Sequence, residues 1–340
     1  CAMDIWCDWT KTMPPLHCKK RRLRRTLRKI HCCGFLCISL LITSPCAAWG
    51  FAAHRTIVDA AIHHLPPPLH TFFKAHGAWL HEHVNDADLR KHTVAGEGIR
   101  HYIDLDRYSP SLDTLRSWFP MAYDEAIQRW SEDSLHAHGI GPWHALRTYR
   151  RLIGAFDRKD EAAILRLAVD LAHYISDLHV PLHTSGNYDG KQTAQNGIHA
   201  LWETQLPEAF MANYNLFPTG PQALWVERPD DLIWQSVLES HACLDSVFSF
   251  EQQTRASFEG QRIDAYVERG RVRQLMRSPA FAAHYHTALD GQVERRMAAA
   301  CHRVSSLWYS AWIEAGAPAL DVQAPAARTG WKKVVDWLFK

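Results

Sequence analysis

From residue 49 onward, apolar positions recur at intervals of three and four, the period of a helix with one buried face. The segment HRTIVDAAIHH at 54–64 puts Ile57, Ala60, Ala61 and His64 on one side. DEAAILRLAVDLAHYISDLHV at 160–180 repeats the pattern through Ile164, Leu167, Val169, Leu171 and Ile175. Residues 284–316 read as one long helix with Leu289, Val293, Met297, Cys301, Val304 and Trp308 on its inner stripe, and 231–257 as another. Alternating β-branched runs bounded by turns are scarce. Pro- and Gly-rich breaks fall at 65–68, 139–142, 186–197 and 217–221. The pattern predicts an all-α chain with one large helical domain over 49–318. A tail at 319–340 ends WKKVVDWLFK. It reads as a short amphipathic helix at a membrane surface, or as a last helix docked on the core or a loose end.

The segment before residue 49 has a different grammar. A basic run at 19–29, KKRRLRRTLRK, precedes the apolar GFLCISLLIT, and small residues in SPCAA lead up to Trp49. Charge, a short apolar core and small residues at the junction make a secretory signal peptide. The apolar run falls short of the ~20 residues that span a bilayer. Residues 1–48 are therefore expected to be removed, and the mature protein to be periplasmic or secreted. A lipoprotein-type cut before Cys46 is disfavoured by Pro45. Cleavage after Ala48 leaves Trp49 first, with an α-amine of pKa ~8 that can surrender its proton to a metal. In the plainer alternative, Trp49 and Gly50 simply open the first helix.

Composition sharpens this division. The 340 residues carry a formal charge of +2, but residues 1–48 hold nine of the 38 Lys and Arg and two of the 36 Asp and Glu. That leaves 29 basic against 34 acidic residues, a net of −5, which speaks against a broad basic surface for duplex DNA. Of nine cysteines only Cys243 and Cys301 follow Trp49, as one disulfide or two buried thiols, and no cysteine cluster has zinc-finger spacing. The 22 histidines favour metal chemistry, since neutral imidazole is the commonest metal ligand.

The histidines are also patterned. In LAHYISDLHVPLHTSGNYDGKQTAQNGIHALWE, His173 and Asp177 stand at i and i+4, one turn apart on one helix face, and His199 and Glu203 repeat the spacing. His183 follows a turn stiffened by Pro181, while His179 lies on another face and is read as structural. A lone pair of this kind is usually a helix-surface contact. Two pairs around a turn histidine can surround more than one cation, and zinc accepts both imidazole nitrogen and carboxylate oxygen. Upstream, WGFAAH places His54 after Trp49, and HVNDADLRKHTVAGEGIRHYIDLD offers Asp86, Asp88 and His101.

These pieces, in this order, resemble the superfamily that joins bacterial zinc-dependent phospholipases C to the fungal and plant single-strand-specific nucleases. That family opens its mature chain with W-x(4)-H and continues with an Asp, an H-[FY]-I-D-like segment, H-x(3)-D-x(5)-H and N-L-H-x(3)-[DE]. The counterparts are Trp49 with His54, Asp88, HYID at His101, HYISDLHVPLH, and GIHALWE. The match spans about Trp49 to Glu203, with a weaker echo in the long C-terminal helix. Ile198 replaces the usual Leu, and the 184–198 loop is short and lacks Gly-Gly-Asn. Glu203 follows the phospholipases and HYID the nucleases, so substrate class stays open.

The resemblance implies an all-α fold of this type and three zinc ions per chain. One would be held by Asp88, His101, His173 and Asp177. A second would share Asp177 and take Trp49 and His54, and a third would take His183, His199 and Glu203. The family's D-A-D pattern selects Asp88 over Asp86. The implied activity is phosphodiester hydrolysis, with water between two zincs as nucleophile and Asp88 and Asp177 at the catalytic centre. Arg90, two residues after Asp88, is placed to reach the phosphate; otherwise it is a solvated surface arginine. Tyr102 is assigned to stacking on a base or lining an acyl pocket, or else to core packing, and Asn187 to substrate. The substrate is single-stranded nucleic acid or phospholipid, and the protein is expected to be a monomer without a stable protein partner. The competing readings are a non-catalytic exported zinc- or phosphate-binding protein and a carboxylate-bridged di-iron bundle. The latter uses mostly Glu plus Glu-x-x-His pairs, whereas this set is His-rich with a Trp terminus.

Overall fold

Helix follows helix along the chain because amphipathic stripes need partners, and here they find one another. The computed structural model describes residues 50–320 except Pro110, Gly220, Pro221, Gly270 and Arg271. The expected leader, Trp49 and the tail from Asp321 onward lie outside the described residues.

The first helices are α1 (Phe51–His64), α2 (Leu69–Ala75), α3 (Gly77–His83) and the short α4 (Asp86–Arg90). Then come α5 (Leu112–Trp118), α6 (Tyr123–Trp130), α7 (Glu132–His138), α8 (Gly141–Asp157) and α9 (Glu161–Asp177). After a loop there follow α10 (Ile198–Ala200), α11 (Leu206–Phe210), α12 (Pro229–His241) and α13 (Leu244–Ser257). A hairpin of β1 (Asp264–Arg269) and β2 (Val272–Arg277) precedes α14 (Pro279–Ala288) and α15 (Gln292–Glu314). The described chain is thus mostly helical, as its periodicity predicts.

The core is built on α9. Asp160 caps its start by accepting a hydrogen bond from the Ala163 amide, and Ile164, Leu171, Ile175 and their neighbours are buried. Helix α8 packs beside it, α15 packs on both, and α1 packs on α9 and α15. Trp308 of α15 donates its indole N–H to the Ala168 carbonyl (3.1 Å) and stacks on Phe73. Each such buried aliphatic or aromatic side chain contributes roughly 1.5–3 kcal/mol, so truncating Leu171 to Ala would cost about 2–5 kcal/mol.

Two expectations are corrected. The long helix over 284–316 is two helices, because Asp290 (φ 47°) and Gly291 (φ 71°) are successively left-handed and cannot continue a right-handed turn. Leu289 stays buried across the break, which is why the apolar stripe looks unbroken. The segment 231–257 likewise breaks between His241 and Leu244. The hairpin has no counterpart in the sequence reading, since its strands DAYVER and VRQLMR are rich in charge. Tyr266 pairs with Leu275 in register, and both are exposed. Cys243 and Cys301 are free thiols, so of the two readings the disulfide is not formed.

Candidate metal centre

Five stretches of chain converge below the C-terminal end of α9. Asp177 is the last residue of that helix, and Pro181 opens the tight turn Pro181–Thr184 that presents His183. The 99–104 segment is held between two others by backbone bonds. Ile103 donates to the His183 carbonyl (2.9 Å), Gly141 to Tyr102 (3.0 Å), Ile140 to Ile99 (2.7 Å) and Asp104 to His138 (2.8 Å). Gly139 is required there: its φ is +86°, and a Cβ would stand 2.3 Å from the Tyr102 carbonyl oxygen. His101 is thereby fixed beside Asp177. On the far side the loop 186–197 leads into α10 and a wider π-type turn, Leu201–Gln205, which carries Glu203. Gly50 donates its N–H to the Glu203 carbonyl (3.1 Å), so the described chain begins at this site.

The side chains assemble as three groups, the first two sharing His173: His54, Asp88 and His173; His101, His173 and Asp177; His183, His199 and Glu203. His173 Nε2 lies 3.2 Å from His101 Nδ1, 3.4 Å from Asp177 Oδ2 and 3.6 Å from Asp88 Oδ1. His101 Nδ1 lies 2.6 Å from Asp177 Oδ2 and 4.0 Å from Asp88 Oδ1. Ligand atoms ~2.0–2.1 Å from one tetrahedral zinc stand ~3.3–3.4 Å apart, within the span of these separations. The other oxygen of Asp177, Oδ1, faces His54 Nε2 at 3.4 Å. One carboxylate therefore addresses two sets of imidazoles with different oxygens. In the third group, Glu203 Oε2 lies 2.9 Å from His199 Nε2 and 3.3 Å from His183 Nε2.

The ring orientations are set from behind. His173 donates Nδ1–H to the Val84 carbonyl (2.8 Å), and His183 donates Nδ1–H to the His101 carbonyl (2.9 Å). Each bond fixes the tautomer that leaves Nε2 with a lone pair turned into the site. Orphaned buried polar atoms are rare in folded chains. They gather here: both ring nitrogens of His54, Oδ1 of Asp177 and both oxygens of Glu203 lack a hydrogen bond among the described residues. A donor set of neutral imidazoles and carboxylates with unspent lone pairs fits divalent metal ions.

Electrostatics agree for the acids and for two of the rings; at His173, burial is outweighed by Asp177 and Asp88, which raise the imidazole. Burial drives the Asp177 carboxyl up, but His173, His101, His183 and His54 outweigh it and hold the acid well below its ordinary range. Burial likewise raises Glu203, and His199 and His183 reverse the direction. Burial lowers His54, with His173 adding to it, and burial takes His101 down to about 3 despite Asp177. Metal ligation requires neutral rings and ionised acids.

Above the groups opens a cavity of about 410 Å³ whose walls include Lys91, His101, Tyr102, Asp104, Tyr188 and His199. Tyr102 is one of its walls. Asp88, not Asp86, reaches the centre, while Asp86 pairs outside with His83 (2.6 Å). Two assignments are corrected. Arg90 turns away, with its guanidinium on Asp170 (2.9 Å), Glu97 (3.2 Å) and the Tyr174 hydroxyl (3.3 Å), which makes it a brace rather than a phosphate contact. Asn187 is spent inside its own loop, donating to Thr193 Oγ1 (3.1 Å) and accepting from the Gln192 amide (2.8 Å). Trp49 lies outside the described residues. His179 is structural as expected, bonded to the Ile175 carbonyl and to Arg303.

The sequence reading missed Lys91, whose ammonium lies 2.7 Å from Asp88 Oδ1 at the cavity. The signal was present, since an i,i+3 Asp–Lys pair on a helix shares a face. It missed Tyr188, edge-on to His199, and the buried Glu97, which receives Tyr174, Arg90 and Arg100. No protein-family model matches the chain, and no curated protein matches it.

Proposed function

We propose that this chain is a zinc-dependent phosphodiester hydrolase holding three zinc ions, in line with the motif resemblance to the phospholipase C and single-strand nuclease superfamily. The observation that carries the reading is Asp177, whose two oxygens face different imidazole sets beside a third His–His–Glu group, all under one cavity. Asp88, His101, His173 and Asp177 would hold one ion. Asp177 and His54, with Trp49 once export has freed its amine, would hold the second, and His183, His199 and Glu203 the third. Bound zinc supplies Lewis-acid charge and brings a water's pKa toward neutrality.

The protein's own groups do the rest. Val84 and His101 carbonyls keep His173 and His183 turned inward without reorganisation during turnover. Lys91 is held beside Asp88, where its ammonium meets a phosphodiester oxygen as negative charge develops. Tyr102 and Tyr188 give the cavity aromatic walls for the group attached to the phosphate.

The test is elemental analysis of protein processed at Trp49, followed by hydrolysis of bis(p-nitrophenyl) phosphate. Three zinc ions per chain, and hydrolysis abolished by chelation and restored by zinc, are expected. Stoichiometric zinc with no hydrolysis would replace this reading with the non-catalytic binding protein.

A further inference from the structure

Next to the metal cavity lies a second, larger one of about 770 Å³, and Gly96 and Ile99 line both. Its chemistry differs. Arg147 and Arg150 project from α8 at i and i+3, so they share a face, and both are exposed. Neither makes an ion pair with any of the described residues, whereas Arg100, also in the wall, is engaged by Glu97. His144 lines the same cavity, packed edge-on against Tyr174. Burial, then the guanidinia of Arg100, Arg147 and Arg151, hold its imidazole down to about 4, so it stays neutral in a field of cations. Apolar wall is supplied by Trp143 and Tyr123, whose ring centroids are 5.5 Å apart. Two acids also line the cavity. Glu132 is occupied by Tyr123 and His136, and Asp124 is exposed on the opposite helix, α6.

We propose that this cavity is a second phosphate subsite, with Arg147 and Arg150 receiving the next phosphate of a single-stranded polynucleotide whose scissile phosphate lies at the metal centre. The proposal rests on the hydrolase reading and adds its substrate class. A repeated anion explains two unpaired cations in a cavity that adjoins the first; a phospholipid carries one phosphodiester and continues as apolar chains. Tyr123, backed by the buried Trp143, gives a base an aromatic surface, and stacking of this kind tolerates any sequence. Gly96 and Gly98 border the passage, and a Cβ on either would meet nothing within 4 Å, so a strand has room to cross there. The chain beyond residue 48 is acidic overall, so these arginines are a local concentration and not part of a basic surface.

The experiment compares the zinc-loaded wild type with an Arg147→Ala/Arg150→Ala double variant. Fluorescence anisotropy follows binding of a phosphorothioate pentanucleotide across a salt series, and bis(p-nitrophenyl) phosphate reports the metal centre separately. The variant should bind the strand on the order of tenfold more weakly at low salt, with a log–log salt slope shallower by about 0.7 per lost contact. Its hydrolysis of the small diester should equal that of the wild type. Unchanged strand affinity and slope would overturn the subsite. So would a loss confined to binding of phosphatidylcholine–phosphatidylserine vesicles, which would make the partner a membrane. If the wild type hydrolyses no diester yet binds the strand through these arginines, the subsite stands and the catalytic reading falls.

Discussion

Replacing Asp177 with Asn tests the centre at its junction. The amide keeps the shape of the carboxylate but turns one oxygen into an NH2 group without a lone pair for a metal. Its two oxygens face different partners, Oδ2 toward His101 (2.6 Å) and His173 (3.4 Å), Oδ1 toward His54 (3.4 Å). One zinc position therefore loses its Asp177 ligand outright and the other exchanges a carboxylate oxygen for a neutral, weaker amide oxygen, so both are expected to empty, while His183, His199 and Glu203 keep theirs. At free zinc about 100-fold above its Kd, each occupied site stabilises the native state by ~2.7 kcal/mol. The wild type should then gain about 8 kcal/mol from zinc and the variant about 3. Domains of this size shift by roughly 2–4 °C per kcal/mol, so the zinc-induced rise in Tm should shrink from about 16–32 °C to about 5–11 °C. Thermal unfolding with and without zinc, alongside elemental analysis, measures both quantities. Three ions per chain in Asp177→Asn, or an undiminished Tm rise, would refute a shared carboxylate.

Other expectations are narrower. Lys91→Gln should cut turnover of bis(p-nitrophenyl) phosphate by about 10²–10³, with three zinc ions still bound; a change in KM alone would remove Lys91 from the transition state. His183→Ala should lose one zinc and leave two, and equal loss of all three would contradict the grouping. Burial, then Asp106, pushes the Asp104 carboxyl up to about 7 against Arg107. Folded Asp104 holds its proton longer than the unfolded chain, so this group costs stability progressively as pH rises from about 4 to 7, by on the order of a few kcal/mol. In zinc-free protein, Asp104→Asn should therefore flatten the decline of Tm with pH over that window; an identical profile would mean that Asp104 titrates normally.

What the sequence disclosed was the part of the site written in helical spacing. His173 with Asp177 and His199 with Glu203 are legible because i,i+4 fixes which side chains share a face, whatever the tertiary fold. The helices α1 and α9 are legible for the same reason. Arg90 and Asn187 were misread because a residue's neighbours in space, unlike its neighbours on a helix, depend on segments far away. Arg90 is claimed by Asp170 and Tyr174, some eighty residues on. Glu97 was invisible because its partners, Arg90, Arg100 and Tyr174, meet only after α4 and α9 have packed. The break after Leu289 was hidden because burial continued through it while the backbone did not.

The position of Asp177 also bears on how the site is built. A carboxylate at the C-terminal end of a seventeen-residue helix sits against the negative end of the macrodipole, and this one is fully buried. Among the described residues, its charge is met by the surrounding imidazoles, of which burial holds His54 and His101 down, and by Lys91 across Asp88. Such a cluster adds little net stability to the surrounding segments, because taking its charges out of water offsets what their contacts return. The backbone does that work instead: Ile103 on His183, Gly141 on Tyr102 and Gly50 on Glu203 fix the five stretches by bonds that do not titrate. The side chains are thus held in place at a cost that a divalent cation offsets. Metal binding should consequently stabilise this fold without being needed to form it.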